Sequence, residues 1–304
     1  MKNNKIYYWA CDKSENSGEG KLALFFIQNL KKRFKTEEIK KPKFKNKLFN
    51  QIINYKYLIP FIGILYCWKY YFDNKRIYYI NFLPLWNFLI FLLLPPNSNI
   101  GPITGGAKFP KKTSLIREYL FPFFYKISEI IVIKRNFDLI FSTDLLKKYL
   151  KKKTIQKSTF NFIIKKFVFK NKKIKNKDID FLIYFRNHKN KKKFFPIDLV
   201  NNLIKEGFNI NIVGDKLDIP NVKNHGFLKS NKIKKLQLRS KFTIYSEENL
   251  YSIFTLECIT NNVLVIINKT NKYKLTFFKK RFIKIDYQNL KELRKLNKLY
   301  KKGL

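Results

Sequence analysis

"YSEENLYSIFTLECITNNVLVIIN" (Tyr245–Asn268) is unlike its surroundings. A tyrosine that ends one apolar segment leads into a short acidic stretch, then an apolar helical run, a polar turn and a β-branched run. Strand, loop, helix, turn and strand in that order are the elements of an α/β unit. The acids are also scarce: the chain carries 64 Lys and Arg against 21 Asp and Glu. A helix starting near Ser252 presents free backbone N–H groups and the positive end of its dipole, a seat for a diphosphate. Glu257, about one turn inside, is placed to accept from paired hydroxyls, and Glu248 or Asn249 from others. The same acids also suit a plain helix cap.

Working outward, the pattern recurs. "IDFLIYF" (179–185) reads as a strand, "FFPIDLVNNLIKEG" as a helix and "FNINIVG" as a strand. "NVKNHGFL" adds a strand with a turn, "NKIKKLQLRS" a helix, "KFTIYS" a strand, "RFIKID" a strand and "YQNLKELRKLNKLY" a terminal helix. Upstream, "KIYYWA" is a strand, followed by the glycine-bearing turn "CDKSENSGEGK" and the helix "LALFFIQNLKKRF". "IYYINFLPLWNFLIFLLL" reads as strand then helix, and "NIGPITGG" as a short strand with a glycine turn. "TSLIREYLFPFFYKISEIIV" is a helix kinked or broken at Pro122. "FDLIFST" is a strand and "DLLKKYLKK" a short helix, and the lysine-dense stretch behind them is a linker. The expected organisation is an N-terminal Rossmann-like domain over 1–165, a linker over 166–178, a C-terminal Rossmann-like domain over 179–285 and a helix over 286–304.

The formal net charge of +43 favours anionic partners, whether nucleic acid, lipid surface or phosphorylated substrate. Codon composition competes as an explanation, because the abundant Lys, Asn, Ile, Phe and Tyr share A/T-rich codons. Lysine is spread along the whole length, with no nucleic-acid module, so nucleic acid is not the expected partner. At 304 residues and 45% hydrophobic, the chain can bury a large core. Three cysteines without CxxC spacing and two histidines suit a reducing cytoplasm and no metal site. The start shows no signal-peptide core. The apolar run Phe88–Leu94 is far shorter than the roughly 20 residues of a spanning helix. Together with "FPFFY" (121–125) and the lysines, it suits core packing or contact with an anionic membrane face.

Two successive domains of this kind resemble the GT-B glycosyltransferases, whose doubly wound Rossmann-like domains face each other across a cleft. The second is similar to the retaining, nucleotide-sugar-dependent group related to glycosyltransferase family four. That group sets two acids apart by seven residues, the second on a helix followed by a turn and strand. Here Asn249 and Glu257 occupy that spacing, with Asn249 replacing the first acid. The group also has an Arg after the first strand of this domain and a Lys five residues on; "IYFRNHKNKKK" supplies Arg186 and Lys191. "SGEG" (Ser17, Gly18, Glu19, Gly20) stands where the group has a glycine-rich loop for acceptor and donor phosphate.

The resemblance implies an enzyme of hexosyltransferase type. Arg186 and Lys191 would neutralise the departing diphosphate, and Glu248, Asn249, Ser252, Ile253, Phe254 and Glu257 would hold the donor. Neither metal nor cofactor is implied beyond the nucleotide-sugar itself. Retention would let the leaving phosphate take the acceptor's proton; for an inverting enzyme, Asp12 or Glu19 is the candidate base. The expected acceptor is a glycan or a lipid-linked, lipopolysaccharide-type molecule, as in polysaccharide biosynthesis by bacteria, with the enzyme cytoplasmic or peripheral on the cytoplasmic membrane face. A basic nucleic-acid-binding protein and a non-catalytic GT-B-like scaffold are the competing readings.

Overall fold

The computed structural model describes residues 5–40, 58–81, 83–96, 98–104, 115–167, 177–187, 192, 194–245, 249–272, 274–296, 298 and 300. The chain divides into two compact units, Met1–Lys166 and Phe167–Leu304. Most of the expected linker lies outside the described residues.

The first unit opens with β1 (Lys5–Ala10), α1 (Gly18–Lys31), β2 (Lys35–Glu38), α2 (Ile59–Phe72) and β3 (Arg76–Ile80). It continues with α3 (Phe88–Leu93), β4 (Asn99–Ile100), α4 (Phe121–Lys134), β5 (Leu139–Ile140), α5 (Lys152–Gln156) and β6 (Ser158–Thr159). The sheet order is β2-β1-β3-β4, parallel throughout. Bridges of Ile103 to Phe141 and Pro84 to Thr104 carry the pairing on toward β5 and β6, which also run parallel.

A chain that steps left after β1 and right thereafter, by right-handed crossovers, places α1 on one sheet face and α2, α3 and α4 on the other. The cores agree. Phe26 of α1 meets Tyr78 and Phe162 on one side. Trp9, Tyr79, Ile64, Phe91 and Val132 share the other.

Several expectations change here. β2 and α2 carry no clear sequence signal: β2 is the polar edge strand KTEE, and α2 lacks a polar face. The predicted helix over "DLLKKYLKK" is one 3-10 turn at Lys147–Tyr149. After it, α5 and β6 complete the first unit. At Pro122 the helix divides into a π-helical turn, Ile116–Leu120, and α4. Proline, lacking an N–H, is accommodated in the first turn of the new helix.

The second unit contains β7 (Ile179–Phe185), α6 (Ile197–Lys205), β8 (Ile210–Gly214), β9 (Val222–Asn224), α7 (Ser230–Arg239) and β10 (Ser240–Ile244). It ends with α8 (Ile253–Thr260), β11 (Leu264–Asn268), β12 (Phe282–Ile285) and α9 (Leu290–Arg294). Its sheet order, β12-β11-β10-β7-β8-β9, is parallel throughout. Read in chain order within the unit this is 3-2-1-4-5-6, the doubly wound dinucleotide-binding order. The strands are near-continuous apolar runs because both faces are covered.

Among the described non-glycine residues with positive φ, six are asparagines (74, 81, 136, 161, 221 and 262). Asparagine tolerates this left-handed region better than most residues, and five of the six follow the end of a helix or strand, while Asn221 precedes β9.

At the amino edge of the second sheet, Lys177 is largely buried. Its Nζ donates to the carbonyls of Ser240 (2.7 Å), Asn262 (2.6 Å) and Asn261 (3.4 Å), tying together the starts of β7, β10 and β11. Burial pushes its pKa down to about 8, from an ordinary 10.5. The unfolded chain therefore binds more protons between those values, and stability rises with pH across the window. Comparison of wild type with Lys177→Met by chemical denaturation should show wild type gaining on the order of 2 kcal/mol relative to the variant from pH 8 to 10.5. A pH-independent difference would mean that the ammonium is not desolvated.

Candidate functional site

In a doubly wound sheet, ligands bind beyond the carboxyl ends of the strands, where the chain order reverses. In the second unit that point lies between β7 and β10, paired at Ile179–Ser240 and Phe181–Phe242. The residue leaving β7 is Arg186, and the loop leaving β10 runs to Ser252 and α8.

Arg186 is held from two sides. Its Nη1 donates to the Tyr184 hydroxyl at 3.0 Å, and its Nε lies 3.7 Å from Asp215 Oδ2. Both contacts favour the charged guanidinium, the tyrosine hydrogen bond most. Its guanidinium also lies 5.9 Å from the ring centre of Phe227, a side chain 68% exposed. Asp215 in turn accepts from the Asn187 amide at 2.7 Å, and its own amide donates to the Phe185 carbonyl at 3.0 Å. Gly214, at φ +105, makes that return possible, since a Cβ there would overlap the Phe185 carbonyl oxygen.

Ser252 caps α8: its Oγ accepts from the Thr255 amide at 3.1 Å and pairs with Thr255 Oγ1 at 2.8 Å. Among the described residues, the Ile253 and Phe254 amides in this first turn have no acceptor. Phe254 stacks on Tyr184 at 5.5 Å, so Tyr184 links Arg186 directly to the first turn of α8. Glu257 is half-buried one turn beyond Phe254, on the less buried side of a helix whose Thr255, Leu256, Cys258 and Ile259 face the core. Asn249 acts within its own loop. Its Oδ1 accepts from the Tyr251 amide at 3.0 Å, and its carbonyl from the Ser252 amide at 3.2 Å. These bonds build the turn that delivers the cap.

The structure thus brings Arg186, Ser252, Ile253 and Phe254 together at one sheet edge, with Glu257 on the same short helix. Lys191 and Glu248 lie outside the described residues, as do Gly105 and Gly106. Tyr184, Asp215 and Phe227 are additions. Tyr184 was legible in principle, because period-two alternation on a strand puts it on the face of Arg186. Asp215 and Phe227 arrive through glycine turns from distant sequence and had no local signal. His225 bonds Asn211 Oδ1 at 2.7 Å through Nε2, and burial lowers its pKa, as befits a structural histidine.

In the first unit, "SGEG" is the cap and first turn of α1. Ser17 Oγ accepts from the Gly20 amide at 2.8 Å, and a Cβ at Gly20 would overlap the Ser14 backbone. Gly18 and half-buried Glu19 follow the cap directly. Both Asp12 oxygens are engaged in this loop, Oδ1 by the Ser14 amide at 2.7 Å and Oδ2 by Ser17 Oγ. Asp12 therefore organises the loop, which weighs against a free catalytic base. Buried Asn81, at φ +57, joins the carboxyl ends of β1 and β3. Its Oδ1 accepts from the Cys11 amide at 2.9 Å and its Nδ2 donates to the Asp12 carbonyl at 2.6 Å.

A cavity of about 290 Å³, lined by Tyr71, Asn74, Arg76 and Ser98 among others, lies by the amino end of β3, opposite the edge that carries these loops. No three His, Cys, Asp or Glu among the described residues converge as metal ligands. All three cysteines are buried, and burial raises the Cys67 and Cys258 thiols.

No protein-family model and no curated protein matches the chain. Among solved structures, it is similar to Anabaena HepE in complex with UDP-glucose, at 11% identity over 97% of this chain and 89% of that one, with a TM-score of 0.49. It is also similar to the E. coli heptosyltransferase WaaC with ADP-2-deoxy-2-fluoro heptose, at 8% identity over 99% and 100% of the chains (TM-score 0.35). A putative UDP-N-acetylglucosamine 2-epimerase from Listeria monocytogenes aligns at 10% identity over 100% and 90% (TM-score 0.41).

Gly214→Ala should cost about 2–3 kcal/mol in urea unfolding, through backbone strain and the clash at Phe185. Gly207→Ala, at φ +77 with open space around it, should cost about 1 kcal/mol. Equal costs would show that the Phe185–Gly214 approach is not tight.

Proposed function

We propose that the protein is a glycosyltransferase that takes its sugar from a nucleotide-sugar bound by the second unit. One observation carries the reading: a charged Arg186 is fixed through Tyr184 beside the first turn of α8, at the reversal point of a 3-2-1-4-5-6 sheet. A fixed guanidinium and amides at a helix start are complementary to a diphosphate. As that diphosphate leaves, the same groups stabilise the charge it gains, with no reorganisation at the moment of reaction. Lys191 adds a second cation in this proposal. Glu257 binds the ribose hydroxyls, and Glu248 and Asn249 the transferred sugar, taken to be a hexose.

Transfer proceeds with retention and without metal. The acceptor, a glycan or a lipid-linked saccharide of the lipopolysaccharide type, is taken by the first unit near Ser17–Gly20. Lipid-linked acceptors place the enzyme at the cytoplasmic face of a membrane.

The test is a thermal-shift panel of UDP-, GDP-, ADP- and CMP-sugars. A donor at a hundred times its Kd adds about 2.7 kcal/mol, or roughly 2–4 °C for a domain of 150–250 residues. One nucleotide class should stabilise wild type, and Arg186→Ala and Glu257→Ala should each abolish most of the shift. Tyr184→Phe, which keeps the stack on Phe254 but loses the hydrogen bond, should weaken binding by about tenfold or less. No shift with any nucleotide-sugar would overturn the transferase reading.

A further inference from the structure

The outer surface of the first unit is unusual. Of the 18 large apolar side chains exposed among the described residues, 14 fall between Leu58 and Ile130, on or beside α2, α3 and α4. Only four lie in the second unit. Base composition cannot produce this asymmetry, since both units draw on the same amino-acid stock.

The three helices form one layer on one sheet face, and their inner sides already fill the core. A surface helix ordinarily turns polar residues outward. Here the outward positions are Leu65 (69% exposed) and Phe72 (74%) on α2, Leu92 (44%) on α3 and Phe123 (56%) on α4. The surface is continuous from helix to helix. Trp68 of α2 donates through Nε1 to the Leu93 carbonyl at 2.7 Å, and its ring lies 5.6 Å from Phe72. Phe88 of α3 meets Phe124 of α4 at 5.3 Å, and Trp86 stacks on Phe121 at 5.0 Å. Contiguous apolar surface on this scale marks an interaction site.

Charge selects the occupant. The spans of α2, α3 and α4 hold a single acid, Glu129, which is 1% exposed and turned inward. There it accepts from the Lys151 amide at 2.8 Å and from Thr154 Oγ1. The charged side chains left outside on these helices are Lys69, Lys126 and Lys134. Just past α2, exposed Asp73 is paired with Lys75 at 3.0 Å. Apolar side chains among lysines, with no outward carboxylate within the three helix spans, complement an interface whose headgroups are anionic and whose interior is hydrocarbon. Among the described residues no helix is long and apolar enough to cross a membrane.

We propose that the outer face of α2, α3 and α4 is a docking surface for an anionic phospholipid membrane, on which the helices lie flat. The inference stands on the first unit alone and does not need the transferase reading.

The test is flotation of the full chain with phosphatidylcholine vesicles, with and without phosphatidylglycerol, at physiological salt. A triple variant, Leu65→Ser, Leu92→Ser and Phe123→Ser, leaves the charge unchanged. Wild type should partition onto the anionic vesicles, and the variant about tenfold less or weaker still. Brominated lipids should quench the emission of wild type more than that of Trp86→Phe, a readout that holds even if the triple variant folds poorly. Three outcomes would overturn the proposal: no flotation of wild type, equal flotation of the triple variant, or a stable dimer that the same serines dissolve. Equal flotation would leave lysine electrostatics as the whole effect, and the dimer would give the face to a second copy.

Discussion

The parallel pairing of β7 with β10, through Ile179–Ser240 and Phe181–Phe242, is the constraint on which the chemistry of the second unit depends. The chain leaves these neighbouring strands toward opposite halves of the sheet. Their outgoing loops therefore diverge, and a gap opens that no crossover helix fills. Arg186 and the α8 cap are brought to that gap by backbone geometry, before any side chain is considered. Tyr184 then converts proximity into contact, bonding one partner and stacking on the other. At the opposite edge Lys177 draws the strand starts together. The sheet is fastened at its amino end and furnished at its carboxyl end.

The two units spend their apolar surface differently. In the second, strands are buried on both faces and helices turn polar sides outward, α6 above all. In the first, the α2–α4 layer is apolar on both its inner and outer sides. The one acid within these helix spans is buried with two partners, while the neighbouring Ser128 hydroxyl is buried without one. An apolar exterior over a filled core is a property of the surface, not of an incomplete core.

What the sequence disclosed followed local signals. In the second unit the apolar strand runs and the Ser252 cap were readable, because buried parallel strands and capped helices leave marks within a few residues. Arg186 was readable by its place after a strand. β2 was not, since an edge strand such as KTEE gains its pairing from β1 and shows no pattern of its own. α2 was not, because a helix apolar on every side has no period to detect. Asp215 and Phe227 reach Arg186 only through the turns at Gly214 and Gly226, and a linear reading cannot supply such contacts. The role of Asn81 was hidden for the same reason, its partners lying some seventy residues away.

The asparagines at positive φ carry a consequence for the unfolded chain. Only 10 of the 304 residues are glycine, and left-handed turns that glycine often supplies are made by asparagine at six described positions. Asparagine in the native turn bears a modest steric strain. Its side chain, however, narrows the range of backbone shapes open to the denatured ensemble, so less disorder is surrendered when each turn forms. A glycine-poor code thus shifts part of the cost of turning from entropy lost on folding to strain held in the native state.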